Sequence, residues 1–411
     1  MAGVTRAGPT VRGCARDTHR QSPVLSPVMD AIQPVSSTDP GTTAPRKPRV
    51  AVLFGGRSSE HAVSCATASS VLRAIDHDAY DVIPIGVTST GRWVLAADDP
   101  DRWAISAGVL PQVKDGDGPG VIAPLQTTDS NLQVLEPGQV PRELGQVDVV
   151  FPLLHGPFGE DGTLQGLLEL TDIRYVGAGV LASAASMDKA VMKVMLKGAG
   201  LPIGEYVVVR PGAWDRDPDA VRDDVEELGW PVFVKPARAG SSVGISKVDG
   251  PEGLDAAIVE ALKHDRKLVI EAAVVGREIE CAVLQAADGS VATSLPGEIE
   301  FVGEHTFYDF EAKYLDNATK LSCPADLPQD VLARVRDLSV RTFEAMNCEG
   351  LARVDFFVQA DGSVVVNEIN TMPGFTSSSM YPRMWAATGL EYPELIDRLI
   401  RTALARPTGL R

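Results

Sequence analysis

Arg353, Asp355, Glu368 and Asn370 are polar residues set into a segment that otherwise has the pattern of buried strands. The run Leu351-Ala-Arg-Val-Asp-Phe-Phe-Val-Gln-Ala-Asp-Gly-Ser-Val-Val-Val-Asn-Glu-Ile-Asn370 alternates around Asp361-Gly362, which predicts a hairpin with a two-residue turn. Pairing Ala360 with Ser363 sets Asp355 opposite Glu368 and Arg353 opposite Asn370, all four on one face. Facing carboxylates repel. A divalent cation between them removes the conflict, and oxygen ligands of this kind suit Mg²⁺, which commonly takes one or two carboxylates plus substrate phosphates. The hairpin therefore reads as a metal shelf whose natural guest is a nucleotide. The alternative is a solvated sheet face with an Arg pairing an Asp, and a longer loop would shift the register.

Further constellations fit a phosphate-bearing guest. In Val234-Lys-Pro-Ala-Arg-Ala-Gly-Ser-Ser-Val-Gly244 a lysine closes a strand and a Gly/Ser loop follows, able to cradle phosphate oxygens with backbone N–H groups while Lys235 adds a point charge. No Gly-Lys-Ser/Thr opens a helix there, so it is not a Walker A loop. A flexible surface hairpin is the other reading. Ser186-Met-Asp-Lys189 offers a second phosphate ligand in Lys189, or simply a solvated lysine near a helix start.

Gly55-Gly-Arg-Ser-Ser-Glu-His61 follows a first strand, and its glycines let a ligand approach the backbone at a helix N-terminus. Glu60 there suits a cationic group, or is a favourable first-turn residue. His155-Gly-Pro-Phe-Gly-Glu-Asp-Gly-Thr-Leu-Gln165 follows another buried strand, at the end where open α/β sheets place ligands, though His155 also reads as a structural histidine. Phe307-Tyr-Asp-Phe-Glu-Ala-Lys-Tyr-Leu315 lacks a clean period and suits an ordered loop or lid, or a partly exposed turn. Asn370-Thr-Met-Pro-Gly-Phe-Thr-Ser-Ser-Ser379 sets hydroxyls beside a Pro-Gly turn, fit for carboxylate or oxyanion contact or for turn chemistry alone.

The elements that must position these groups are legible. Arg49–Phe54, a helix over about 60–75 and a strand over 80–87 form a β-α-β opening of an open parallel sheet. Residues 89–145 are Gly/Pro/Asp-rich with short strand pieces and read as an insertion. Strands are expected at 147–154, 205–209, 232–234, 268–270 and 278–284. Helices are expected at 164–170, 187–200, near 221–228 and 253–262, at 330–346 and at 391–405. The pattern gives three α/β blocks, about 49–177, 178–270 and 271–405, after a Pro/Ser/Thr/Arg-rich segment at 1–48 that reads as disordered.

A chain of 411 residues buries a sizeable core, and a net charge of -17 argues against a broad nucleic-acid footprint. No apolar run approaches the ~20 residues of a membrane span. The five cysteines are odd in number, widely spaced and without CxxC, which points to reduced thiols and a cytoplasmic setting rather than disulfides or zinc.

Taken in order, GGRSSEH, HGPFGEDG, SMDK, VKPARAGSSVG, FYDFEAKY, ARVDF and NEINTMPGFTSSS resemble the D-alanine–D-alanine ligase family of the ATP-grasp superfamily, over about Arg49 to Leu404. The resemblance implies a three-domain ATP-grasp architecture: an N-terminal open parallel α/β substrate domain followed by two α+β lobes that sandwich ATP. The implied reaction is ATP-dependent joining of two D-alanines through a D-alanyl phosphate, for peptidoglycan precursors, in a cytoplasmic homodimer with no nucleic-acid or membrane partner.

By the same resemblance Glu60 binds the ammonium of the first D-alanine with His155 nearby, and Ser241 and Tyr314 join Glu60 in a triad that closes the lid. Lys189, Lys235, Ser242 and Lys313 hold phosphates, and Glu271 and Glu278 contact the nucleoside. Asp355, Glu368 and Asn370 hold two Mg²⁺ or Mn²⁺ ions. Arg353 and the backbone of Gly374 stabilise the oxyanion, and Ser379 binds the carboxylate of the second substrate. Tyr314, where depsipeptide-forming relatives carry His or Phe, implies the dipeptide-forming class. Another ATP-grasp carboxylate–amine ligase would keep the nucleotide and metal residues but not Glu60, His155 and Tyr314 together. A non-catalytic nucleotide-binding regulator would have lost Arg353 or a metal carboxylate.

Overall fold

The computed structural model describes residues 46–408 apart from 107, 108, 125, 129 and 302–318. The segment read as disordered lies outside the described residues through position 45, and so does the 307–315 lid motif with Lys313 and Tyr314. From Lys47 on, the described residues form one compact unit built on three sheets.

The first sheet starts from Arg49–Gly55, all but its first residue buried, with Asp81–Val87 and Val149–Pro152 parallel on either side. The right-handed β-α-β crossover preference makes this an economical opening, and His61–Ala74 supplies the crossover helix. Gly55-Gly56 and His155-Gly156 therefore leave the same carboxyl edge of neighbouring strands. The parallel expectation holds for these three strands only. Segment 89–145 contributes Trp93–Leu95, Gly120–Ile122, Asn131–Leu135 and Arg142–Gln146 as an antiparallel extension of the same sheet, because short connections can join antiparallel neighbours but not parallel ones.

The second sheet runs Ser246–Val248, Val232–Pro236, Leu268–Ala272, Tyr206–Val209, all antiparallel. The helix expected over 187–200 begins later, at Lys189, because Asp188 takes extended backbone and accepts a hydrogen bond from the Val191 N–H as its N-cap. Ser186 and Met187 instead end a preceding helix, Val180–Met187.

The third sheet places Arg277–Gln285 beside Leu351–Val358, which pairs with Val364–Asn370. Helix Gln329–Ala345 packs Val335, Leu338 and Phe343 against this sheet. The last helix, Tyr392–Ala405, buries Leu395, Leu399 and Ile400 in the same cluster as Val50, Phe54 and Phe151, so the chain end is packed onto the first sheet.

The hairpin is not the two-residue turn expected. The Gln359 N–H donates to Ser363 O at 2.9 Å and the Gly362 N–H to Gln359 O at 3.0 Å, which makes Ala360-Asp361-Gly362 a three-residue loop with Gly362 at φ 83°. That loop shifts the register by one: Val358 faces Val364 and Phe356 faces Val366. A bulge then absorbs Asn367, and Asp355 faces Glu368 and Arg353 faces Asn370.

Candidate active site

One cavity of about 420 Å³ opens where the three sheets meet. It gathers residues far apart in sequence: Glu60 and His155 from the first sheet's carboxyl edge, Lys189, Lys235, Ser241, Ser242 and Glu271 from the second, and Glu278, Arg353, Asp355, Glu368, Asn370 and Gly374 from the third. Ser379 does not line it. That serine sits at the N-cap position of helix Met380–Ala387, but its hydroxyl turns away from the helix and lies 2.7 Å from Thr376 Oγ1.

The first wall is built around Glu60. Ser64 Oγ accepts from the Gly55 N–H at 2.8 Å and donates to Leu153 O at 2.6 Å, tying the two strand ends together. His61 Nδ1 lies 2.7 Å from Gly56 O, and the Val113 N–H donates to its Nε2 at 2.9 Å. A carbonyl on one nitrogen and an N–H on the other fix a neutral ring protonated at Nδ1. Glu60 is buried, and its carboxylate accepts from Ser241 Oγ, a contact that joins the first sheet to the Gly/Ser loop of the second.

Two glycines make room for that carboxylate. A Cβ on Gly156 would stand 2.5 Å from Glu60 Oε2, and one on Gly240 2.8 Å from it. Ser241 and Ser242 take φ values of 47° and 58°, a left-handed path that non-glycine residues follow where the surroundings enforce it.

His155 is buried, with Nδ1 3.1 Å from Met372 O and Nε2 3.3 Å from Thr67 Oγ1. Burial holds its pKa below the ordinary imidazole value against the opposing charge of Glu60. Glu160 accepts from the Gly156 and Met372 N–H groups, and burial together with the Glu60 charge pushes its carboxyl up to about 8.

The second wall is cationic. Lys189 Nζ donates to Ala239 O at 3.1 Å and lies 3.5 Å from Glu368 Oε2. Lys235 donates to Glu271 Oε2 at 3.1 Å, and Lys193 lies 3.3 Å from the same oxygen. Burial works against ionising Glu271, but the charges of Lys235 and Lys193 outweigh it and hold its pKa below the ordinary carboxyl range.

On the floor, Arg353 sends a two-pronged fork to Asp355, Nε to Oδ1 and Nη2 to Oδ2, both at 2.7 Å, and Asn370 Nδ2 donates to Asp355 Oδ2 at 2.9 Å. Glu280, opposite Asp355 on the other side, stands 3.2 Å from Arg353 Nε. Glu280, Asp355 and Glu368 thus form a row across three strands. Burial opposes the Arg353 charge, but Asp355 and Glu280 outweigh it and raise its pKa well above the ordinary value.

Among the described residues no three His, Cys, Asp or Glu side chains cage an ion on their own. An open row of hard oxygens with lysines opposite fits instead a Mg²⁺ that completes its shell from phosphates and water.

Sequence reasoning missed Lys193 and Glu280 and did not separate Glu160 from its acidic neighbour. Two of these carried a periodic signal: Lys193 follows Lys189 by four residues on one helix face, and Glu280 follows Glu278 by two on one strand face.

Comparison with known proteins agrees with this geometry. The family model described as D-ala D-ala ligase N-terminus matches residues 49–178, and the one described as D-ala D-ala ligase C-terminus matches 195–401. The D-alanine--D-alanine ligase of Kineococcus radiotolerans is 64% identical over 373 residues, spanning 89% of this chain and 99% of that protein. That of Streptomyces coelicolor is 56% identical over 371 residues, spanning 89% and 95%. Among solved structures, the VanG D-Ala:D-Ser ligase from Enterococcus faecalis superposes with a TM-score of 0.76 at 34% identity, covering 87% of this chain and 100% of that one. The D-alanine-D-alanine ligase from Coxiella burnetii gives 0.74 at 36% identity, covering 87% and 94%. With both family models matched in order and the ATP-grasp architecture shared, the chain belongs to the D-alanine–D-alanine ligase family.

Proposed function

We propose that this cavity joins two D-alanines into D-alanyl-D-alanine with ATP as the energy source, supplying peptidoglycan precursors. The observation that carries the reading is the meeting of two chemistries in one cavity: Glu60 and His155 from the first sheet, and Lys189 and Lys235 lining the same space as the Asp355–Glu368 pair, with Lys189 3.5 Å from Glu368. An amino acid and a polyphosphate are the guests such walls accept.

In this reading residues 49–177 form the substrate domain, with an insertion over 89–145, and 178–270 and 271–405 are the lobes that enclose ATP. Lys189, Lys235 and Lys313 hold the phosphates with the backbone around Ser242, while Glu271 and Glu278 receive the nucleoside. Asp355, Glu368 and Asn370 hold two Mg²⁺ or Mn²⁺ ions, which neutralise phosphate charge when bound. Glu60 receives the ammonium of the first D-alanine, with His155 beside it.

The carboxylate oxygen of the first D-alanine attacks the γ-phosphorus and ADP leaves. The amine of the second, after losing a proton, attacks the acyl carbon of the D-alanyl phosphate and phosphate leaves. Arg353, locked by Asp355 and Glu280, and the Gly374 N–H face the oxygen that gains charge; donors fixed in advance cost no reorganisation at that moment. Ser379, which stands outside the cavity lining, is the residue this reading gives to the carboxylate of the second D-alanine. The Ser241–Glu60 contact, extended by Tyr314, closes the lid so that water does not intercept the acyl phosphate. Tyr314 favours an amine over a hydroxy acid. A cytoplasmic homodimer completes the reading. Among the described residues no helix is long and apolar enough to cross a membrane.

The test is phosphate release from ATP and Mg²⁺ with D-alanine, L-alanine, or D-alanine plus D-lactate, products being identified by mass. D-Alanyl-D-alanine from D-alanine alone is the expected result. Turnover only with a different amino-acid pair discards the substrate while keeping the ATP-grasp chemistry.

A further inference from the structure

Lys193 is 1% exposed and does not line the cavity, yet its charge is aimed at a residue that does. It stands one turn beyond Lys189 on helix Lys189–Gly198, and the two side chains leave the same helix face. Lys189 reaches into the cavity. Lys193 stays buried between that helix and the sheet face that carries Glu271, its ammonium 5.5 Å from the Tyr206 ring centroid and 3.3 Å from Glu271 Oε2. Glu271 pairs with Tyr206 across one neighbouring strand and with Phe233 across the other, two positions from Lys235. Lys235 Nζ approaches the same Oε2 at 3.1 Å.

A single carboxylate oxygen is therefore shared by a cavity lysine and a buried one. A buried ammonium is costly without a partner, so this placement needs a reason. If Lys235 were the sole partner of Glu271, the pair would be self-neutralised and Lys235 would have to leave it to meet a polyphosphate. With Lys193 fixed in the protein interior against it, Glu271 keeps a second partner, and Lys235 can turn to an incoming phosphate without stranding a buried carboxylate.

We propose that Lys193 is a positioning residue for the nucleotide: it anchors Glu271 so that Lys235 remains available to the phosphates. The inference rests on the ATP-site reading above.

The test is calorimetric ADP binding, with steady-state kinetics alongside, on the full chain and on the variants K193M, K193R, E271Q and K193M/E271Q. K193M is expected to weaken ADP binding by about tenfold and to raise KM for ATP in step, with kcat and KM for D-alanine changed by less than about threefold. K193R, which keeps the charge, restores most of the affinity. The decisive arm is the double variant: E271Q puts a neutral amide where the carboxylate stood, and an amide has no charge with which to hold Lys235. K193M should therefore weaken ADP binding by less than about twofold when E271Q is already present.

Additive losses in the double variant overturn the proposal. So does K193M binding ADP normally, or losing kcat and both KM values together. If K193M fails to fold, E271Q against wild type and K193R still decide the matter: the proposal requires K193R to bind ADP within about threefold of wild type, and a tenfold loss there rejects it. ADP binding without D-alanine turnover in the wild type would instead overturn the substrate reading and leave this one standing.

Discussion

Asp355 stands opposite Glu368 because Asn367 is squeezed out of the ladder between Glu368 and Val366. Without that bulge the three-residue loop would set Asp355 against Asn367 and turn Glu368 toward the face that carries Val354 and Val366, both fully buried. The bulge is thus what returns a carboxylate pair to the cavity face, and bulges re-aiming side chains beside active sites are a recurrent device.

Asp355→Asn tests the pair directly. It removes a charge from the acid row and the strongest partner of the Arg353 fork. ATP-dependent phosphate release is expected to fall by about 10³-fold or more. Near-normal kcat at saturating ATP and Mg²⁺ would reject the metal and oxyanion roles together.

Gly156→Ala tests the seat of Glu60. The new methyl would lie 2.5 Å from Glu60 Oε2 at a backbone φ of 71°. The carboxylate must move away, so KM for D-alanine is expected to rise by about tenfold or more while ADP affinity stays near wild type. A parallel loss of ADP binding would mean that the change had spread beyond the amino-acid wall.

Gly362→Ala separates stability from catalysis. A Cβ there meets Val331 Cγ2 only at 3.6 Å, so space is adequate and the φ of 83° decides the cost. Unfolding free energy should drop by about 1–2 kcal/mol, with kcat unchanged. Denaturant midpoints at equal slope measure it, and an unchanged midpoint would show that the loop finds another conformation at no cost.

Glu160 gives a pH signature. Its carboxyl is raised from 4.5 to about 8, first by burial and then by the charge of Glu60. A raised folded-state pKa means that this group's contribution is complete below the ordinary carboxyl value. It then declines as pH rises, until the folded protein also releases the proton near 8. Stability should fall across roughly pH 4.5–8 from this group, and Glu160→Gln should flatten that part of the profile. Denaturation midpoints at several pH values decide, and an unchanged slope in the variant would show that Glu160 ionises normally.

The chain's local order fixed a good deal by itself. Alternation around Asp361-Gly362 announced the hairpin and its polar face, the β-α-β opening over 49–87 announced a parallel pair, the buried run at 147–154 announced a further strand, and Gly-rich motifs after 49–54 and 147–154 announced a ligand edge. These are signals written in side-chain period and turn chemistry, which act over a few residues. The agreement of Asp355 with Glu368 came out right through two compensating departures, a longer loop and a bulge, neither of which periodicity can count. Lys193 and Glu280 were visible as positions on a face, but only the packing of helix Lys189–Gly198 against Leu268–Ala272, and of Arg277–Gln285 beside Leu351–Val358, turned them into partners of Glu271 and Arg353. The contact of Ser241 with Glu60 spans 181 residues. Such relationships depend on how sheets stack and where burial leaves a charge needing a partner, and that is decided by the tertiary structure alone.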